Sequence, residues 1–191
     1  MKGRRQAVID GAAAVFAERG FHGASTRHIA DRLGLRQGSL YYYFTSKDAA
    51  LEEVCRVGVE AFVHGLAPIA AGPDPAPEKL ARAVANHLMP LRDRADYVRV
   101  FLFERRHLAP DHRAQVARLS QAYEALLAEI VAQGQAEGSL APEPDPEMAV
   151  LAILGACNGA ARRYRPGREP GLERLIAGLS RILADGLRAR P

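Results

Sequence analysis

The chain has 191 residues, 48% of them hydrophobic and 25% charged, with a net charge of +4; this is the balance of a globular domain and excludes fibrous and disordered chains. Cys55 and Cys157 are its only cysteines, which excludes a disulfide framework and a multi-cysteine zinc site and fits the reducing cytoplasm. No apolar run approaches the roughly 20 residues that span a bilayer, and Asp10 and Glu18 interrupt the stretch after the basic opening Met1-Lys2-Gly3-Arg4-Arg5, so neither a membrane span nor a secretory leader is expected.

Alternating β-branched runs are missing, Thr occurs only at Thr26 and Thr45, and Ala, Leu, Arg and Glu dominate. The fold class is therefore all-α. Breakers at Gly20–Gly23, Gly34, Thr45-Ser46, Ala71–Pro77, Ala109-Pro110, Gly138–Pro146 and Arg165–Gly171 partition the chain. About nine helices are predicted between them, over 4–19, 26–33, 37–43, 47–70, 77–93, 95–108, 111–137, 145–164 and 171–188. Ser25 and Ser46 can cap the second and fourth helices through their hydroxyls. Pro110-Asp111 and Pro146-Glu147 place a proline and an acid where a helix begins. There is no internal repeat.

Charge divides the chain. Residues 1–47 hold eight basic side chains (Lys2, Arg4, Arg5, Arg19, Arg27, Arg32, Arg36, Lys47) against three acidic ones, a net of +5, while the remainder sums to −1. The sign changes near residue 46, which divides the chain into a head, 1–46, and a body, 47–191. A basic first quarter points to nucleic acid or a membrane surface.

The head has the pattern of a helix-turn-helix. Counted from Thr26, Ile29, Leu33, Leu35, Leu40 and Tyr43 occupy the apolar positions of two short crossing helices. Ala30 is small where the helices approach, and Gly34 takes the positive φ of the tight turn. Ile9, Ala12, Ala13 and Phe16 supply the first helix's side of this core, and Phe21 folds back on it. The second helix of the pair then presents Gln37, Gly38, Ser39, Tyr41 and Tyr42 outward. Gln reads adenine with two hydrogen bonds, Ser reads several base edges, and Gly lets the backbone come close. Tyr hydroxyls and Lys47 suit phosphate oxygens, and Arg4 and Arg5 can reach the flanking backbone. Arg27 and Arg36 extend the same basic face. A double-stranded DNA partner explains these residues better than a solvated helical pair with an aromatic patch.

The stretches Phe21-His22-Gly23-Ala24-Ser25-Thr26-Arg27-His28-Ile29-Ala30 and Leu35-Arg36-Gln37-Gly38-Ser39-Leu40-Tyr41-Tyr42-Tyr43-Phe44-Thr45-Ser46-Lys47 closely resemble the TetR family of bacterial repressors. The resemblance implies a cytoplasmic homodimer of all-helical subunits, each with a DNA-binding head and a ligand-binding, dimerising body. By that resemblance Thr26, Gln37, Gly38, Ser39, Tyr41, Tyr42 and Lys47 match DNA-contacting positions. Tyr43 stands where the family usually has His.

In the body, Tyr97-Val98-Arg99-Val100-Phe101-Leu102-Phe103 is apolar on nearly every face, so its helix is expected to be enclosed. Pro90 is expected to kink the helix before it. Phe62, Met89, Phe101, Phe103, Tyr123 and Met148 are candidates for a cavity lining, although such residues also suit a plain core. Phe103-Glu104-Arg105-Arg106-His107-Leu108, with Gly155-Ala156-Cys157-Asn158 and Arg163-Tyr164-Arg165-Pro166-Gly167, is similar to the TetR branch that senses acyl-coenzyme A thioesters. That likeness adds Arg105, Arg106, His107 and Asn158 to the ligand candidates, the arginines as phosphate partners or as plain surface ion pairs. The chain departs from the branch in lacking the tryptophans that follow the Asn. Residues 145–164, with Gly155, Ala156, Gly159 and Ala160, and 171–188, with a leucine and isoleucine face wider than one stripe, are the expected dimer helices, although such faces equally suit an intrachain core. No cofactor is expected. Two rival readings are a DNA-binding protein without an effector and a helical metalloenzyme. Glu104-x-x-His107 has the spacing of a di-metal helix, but no second Glu-x-x-His, nucleophile elbow or phosphate loop accompanies it.

Overall fold

The computed structural model describes residues 2–189; Met1, Arg190 and Pro191 lie outside the described residues. The helices are α1 (Lys2–Gly23), α2 (Thr26–Arg32), α3 (Gln37–Leu40), α4 (Lys47–Ala70), α5 (Ala76–Leu88), α6 (Pro90–Asp93), α7 (Ala95–Phe103), α8 (Pro110–Ala136), α9 (Pro146–Arg163) and α10 (Leu172–Gly186), with a 3₁₀ turn at Arg105–His107. The extended pairing among the described residues is one isolated bridge, Leu140 with Arg188, so the fold is all-α as its composition predicts. The chain forms two compact units. The first comprises Met1–Glu60 and Arg94–Leu119, the second Ala61–Asp93 and Ser120–Pro191, and α4 and α8 each run from one into the other.

In the first unit, Phe16 of α1, Ile29 and Ala30 of α2, Leu40 of α3, Phe44, and Leu51 and Val54 of α4 are buried in one core. Each large side chain there contributes about 1.5–3 kcal/mol by leaving water. Ser25 caps α2, accepting from His28 N at 3.2 Å, and Ser46 caps α4, accepting from Ala49 N at 3.0 Å. Gly34 sits at φ +63°, where Leu35 N reaches back to Ala30 O at 2.9 Å and closes the turn. Ala30 is buried, as the steep crossing requires. Leu33, Leu35 and Tyr43, expected in this core, are half-buried. Leu33 instead covers Gly11, where an added Cβ would lie 2.7 Å from its Cδ2.

Two other expectations are corrected. The segment predicted as one helix over 95–108 ends at Phe103 and continues as the 3₁₀ turn. It is not enclosed on every face. Tyr97, Val98, Val100 and Leu102 are buried, while Arg99 and Phe103 are exposed, because α7 packs one side against α1 and leaves the other open. Pro90 does more than kink its helix. It lacks an amide hydrogen, so α5 stops at Leu88 and α6 starts afresh.

In the second unit, α5 presents Leu80, Ala83, Val84 and Leu88 at helical spacing to α9 and α10. Lys79 is buried, with its ammonium on Ala70 O at 2.9 Å and Gln133 Oε1 at 3.0 Å, so it caps the carbonyl end of α4 from within the core. Ser180 of α10 donates to Ala81 O on α5 at 3.1 Å.

Candidate nucleic-acid interface

The outward side of α3 is small and polar. Gln37, Gly38 and Ser39 are exposed, and Leu40 turns inward to anchor them. The helix is one turn long rather than the predicted two. Tyr41–Tyr43 continue as a hydrogen-bonded turn, with Tyr43 N and Phe44 N both on Leu40 O. Tyr42 is 81% exposed and Tyr41 50%, values that a structural role in the core does not explain. The Tyr42 and Tyr43 rings meet edge to face at 5.2 Å, which holds the exposed phenol in place. Gln37 Nε2 donates to Thr26 Oγ1 at 3.1 Å, tying the first residue of α3 to the first of α2. That bond leaves the Gln37 carboxamide oxygen open to an adenine amino group.

The flanking cations divide. Arg4 and Arg36 are exposed, and Arg27 is exposed and lies 3.9 Å from Asp31. Arg5 is already engaged with Glu53. Burial raises the Glu53 carboxyl, but the hydrogen bond and charge of Arg56 and the charge of Arg5 hold it below the ordinary range. Lys47 donates to Phe21 O at 2.9 Å and Ala24 O at 3.2 Å and lies 4.2 Å above the Phe21 ring. Two of its three protons therefore serve the carbonyl end of α1.

The ligand candidates fall in both units. Phe62, Tyr123 and Asn158 converge in the second, around a residue that sequence reasoning missed, His87. Its Nδ1 faces the Tyr123 hydroxyl at 3.0 Å, its Nε2 faces Asn158 Oδ1 at 3.2 Å, and Phe62 stacks on its ring at 5.1 Å. Asn158 Oδ1 only accepts, so Nε2 carries the hydrogen and Nδ1 accepts from the phenol. Burial depresses the His87 pKa, and the Asn158 bond opposes it. Burial also raises the Tyr123 phenol. The signal for His87 lay in the apolar stripe Leu80, Val84, His87, where one position carries an imidazole. Met89 is exposed. Phe101, Arg105, Arg106 and His107 belong to the first unit, with Arg105 over the Phe101 ring at 4.5 Å and His107 stacked on Phe21 at 5.6 Å. An open groove of 840 Å³ in the second unit is lined by alanines of α8 together with Glu124, Glu129, Asp145 and Glu147. Among the described residues no group of three His, Cys, Asp or Glu side chains could hold a metal ion, and no helix is long and apolar enough to cross a membrane.

A three-helix head with a glycine-hinged pair and an exposed polar, tyrosine-bearing second helix defines a helix-turn-helix DNA-binding regulator. Residues 8–54 match the family of bacterial regulatory proteins called tetR, and residues 73–187 match the tetracyclin repressor-like C-terminal domain. The chain belongs to the TetR family of transcriptional regulators. It is 28% identical over 186 residues to the HTH-type transcriptional repressor KstR2 of Rhodococcus jostii (strain RHA1), covering 97% of this chain and 91% of that one. It is 26% identical over 148 residues to the fatty acid metabolism regulator protein of Bacillus subtilis (strain 168), covering 78% and 76%. Among solved structures, KstR2 of Mycobacterium tuberculosis superposes with a TM-score of 0.87 at 24% identity, covering 98% and 96% of the two chains. AibR in complex with isovaleryl coenzyme A and operator DNA superposes with a TM-score of 0.85 at 21% identity, covering 94% and 97%.

Proposed function

We propose that this TetR-family regulator is a repressor that binds a palindromic operator as a homodimer and is released by a hydrophobic effector of the acyl-coenzyme A class. The observation that carries the reading is the exposed α3 face, Gln37, Gly38, Ser39, Tyr41 and Tyr42, held outward by buried Leu40. With the twin head about 34 Å away, the two faces enter successive major grooves. Arg4, Arg27, Arg36 and the Tyr43 hydroxyl serve phosphates, and Thr26, Arg5 and Lys47 shape the contact surface. Residues 1–46 act as the DNA-binding domain and 47–191 as the ligand-binding and dimerising one.

The dimer is proposed to form through α9 and α10. Met148 is 53% exposed and Leu151 66%, and they continue into exposed Ala152, Gly155 and Gly159, with nothing near a Cβ built at either glycine. On α10, Ile182 is 66% exposed. An apolar stripe that opens onto small residues suits close approach of a second copy. The effector reading is supported by AibR, whose structure holds isovaleryl coenzyme A with operator DNA, and by the fatty acid metabolism regulator protein. Phe62, Met89, Tyr123 and Asn158, all of the second unit, are the proposed acyl contacts. The groove on α8 does not suit this ligand, since its carboxylates would repel phosphates. A ligand that prefers one of two conformers shifts the heads through α4, whose length runs from the first unit into the second. No catalytic role and a cytoplasmic location complete the reading.

The test is fluorescence anisotropy with an operator selected by the purified protein from random duplexes. Medium- and long-chain acyl-coenzyme A should release the DNA, and free coenzyme A should not. Binding unaffected by every thioester would identify a DNA-binding protein without this effector.

A further inference from the structure

By spacing alone, Glu104-x-x-His107 suits half of a di-metal site. The structure places both residues where α1 breaks. Gly20, at φ +67° and ψ 169°, interrupts α1 and takes Phe21 N away from a helical acceptor. Glu104 Oε2, at the end of α7, accepts that N–H at 2.8 Å. On the other side of the same turn, Lys47 holds Phe21 O and Ala24 O. The turn Phe21–Ala24 is therefore gripped at its donor by an acid and at its acceptors by a base. Ser25 follows at once as the cap of α2, and α2 and Gly34 then fix the direction of α3.

We propose that Glu104 is a positioning residue for operator reading, holding the turn that aims α2 and α3, and that His107 competes for its carboxylate when protonated. Neutral His107 accepts from Arg106 Nε at its own Nε2, 3.3 Å away, so its hydrogen lies on Nδ1. The same Nε2 is 3.8 Å from Glu104 Oε2, the oxygen that takes the Phe21 hydrogen. Adding a proton there removes the bond from Arg106 and gives Glu104 a second, charged donor. The groups that face the imidazole are known from each neighbouring element. From α1 come His22, with ring centroids 4.4 Å apart, and Phe21; from α4 comes Lys47; from the end of α7 comes Glu104; and from its own turn comes Arg106. Arg113 of α8 is spent on the carbonyls of Arg106 and Leu108. One anion thus faces two cations and a second imidazole. Burial, His22 and Arg106 depress the His107 pKa, Glu104 opposes them, and Lys47 adds to the depression. A proton placed on His107 is repelled by its neighbours, draws Glu104 from Phe21, and slackens the grip on the head.

Operator affinity measured from pH 8 to pH 5.5 tests this, with the duplex selected by the wild-type protein as probe. Wild type and His107→Phe, which keeps the stacking on Phe21 but cannot titrate, should bind alike at pH 8. Below about pH 6.5, the ordinary histidine value, wild type should fall behind the variant by about 5- to 10-fold, a common allosteric coupling. Glu104→Gln keeps an acceptor for Phe21 N–H, so it should bind within about twofold of wild type at pH 8, and it should lose the acid-induced fall. Glu104→Ala should lose about 10-fold at every pH. All four proteins keep the other five histidines, so the differences isolate the clamp. Parallel profiles for wild type, His107→Phe and Glu104→Gln would overturn the proposal, even if Glu104→Ala proves unstable.

Discussion

Individual side chains in the reading face and the core have separable roles. Gln37 is braced by Thr26, so its carboxamide is oriented before DNA arrives. Gln37→Ala should cost about 1–3 kcal/mol of operator binding, with the thermal transition unchanged, as anisotropy and circular dichroism would show. Tyr42→Phe removes one exposed hydroxyl and should weaken binding by less. Gly34→Val forces a β-branched residue to φ +63° and should destabilise the protein by about 1–3 kcal/mol, read from its denaturant midpoint. The thiols are silent for a different reason. Burial pushes Cys55 and Cys157 up to about 12, so the native protein should resist thiol reagents at neutral pH, whereas the unfolded protein should react twice. His87 carries a pH dependence of stability. Its folded pKa lies below the ordinary 6.5, so the unfolded state binds the proton more readily, and stability present above that pH declines as pH falls through and below 6.5. His87→Gln should flatten that decline in urea titrations at successive pH values.

Among the helices, α7 owes its place to α1. Tyr97 at its start donates to Asp10 at 2.6 Å and accepts from Gln6 at 3.0 Å, and Glu104 just after its end takes Phe21 N. A helix held at both ends against the first helix of the head moves with it, which is why a short apolar segment carries acids and a phenol at its margins. By contrast, α9 and α10 leave apolar surface open in the single chain. Leu151→Arg places a charge in the proposed α9 contact, and an uncompensated buried charge costs several kcal/mol. It should give a folded monomer by light scattering, with operator affinity lost because one head spans one half-site.

The whole molecule is electrically lopsided. The basic excess lies within residues 1–47, which also hold α3, the proposed reading helix, so long-range attraction and the proposed base contacts fall in the same stretch of the chain. If the dimer neutralises six or more phosphates, affinity should fall by about 10³ or more between 50 and 200 mM salt. A flat salt response would remove the phosphate contacts assigned to Arg4, Arg27 and Arg36. Effector and operator are linked reciprocally, so a thioester that releases DNA must bind more weakly to the operator complex by the same factor.

The helical class, the glycine hinge, the caps at Ser25 and Ser46 and the outward set of α3 are legible in the chain because each depends on neighbours a few residues away: a turn, a cap or a 3.6-residue period. The break of α1 at Gly20, the stop at Pro90 and the exposed side of α7 required knowing which surface each helix faces. So did every pairing over long separation. Arg5 with Glu53, Lys47 with Phe21 and His87 with Tyr123 and Asn158 join residues distant along the chain. Many partners of suitable charge or polarity existed for each, and only packing of the helices selected one. Glu104 and His107 show this most plainly, since spacing alone suits a metal, and the nearness of a free amide at Phe21 gave the carboxylate another role.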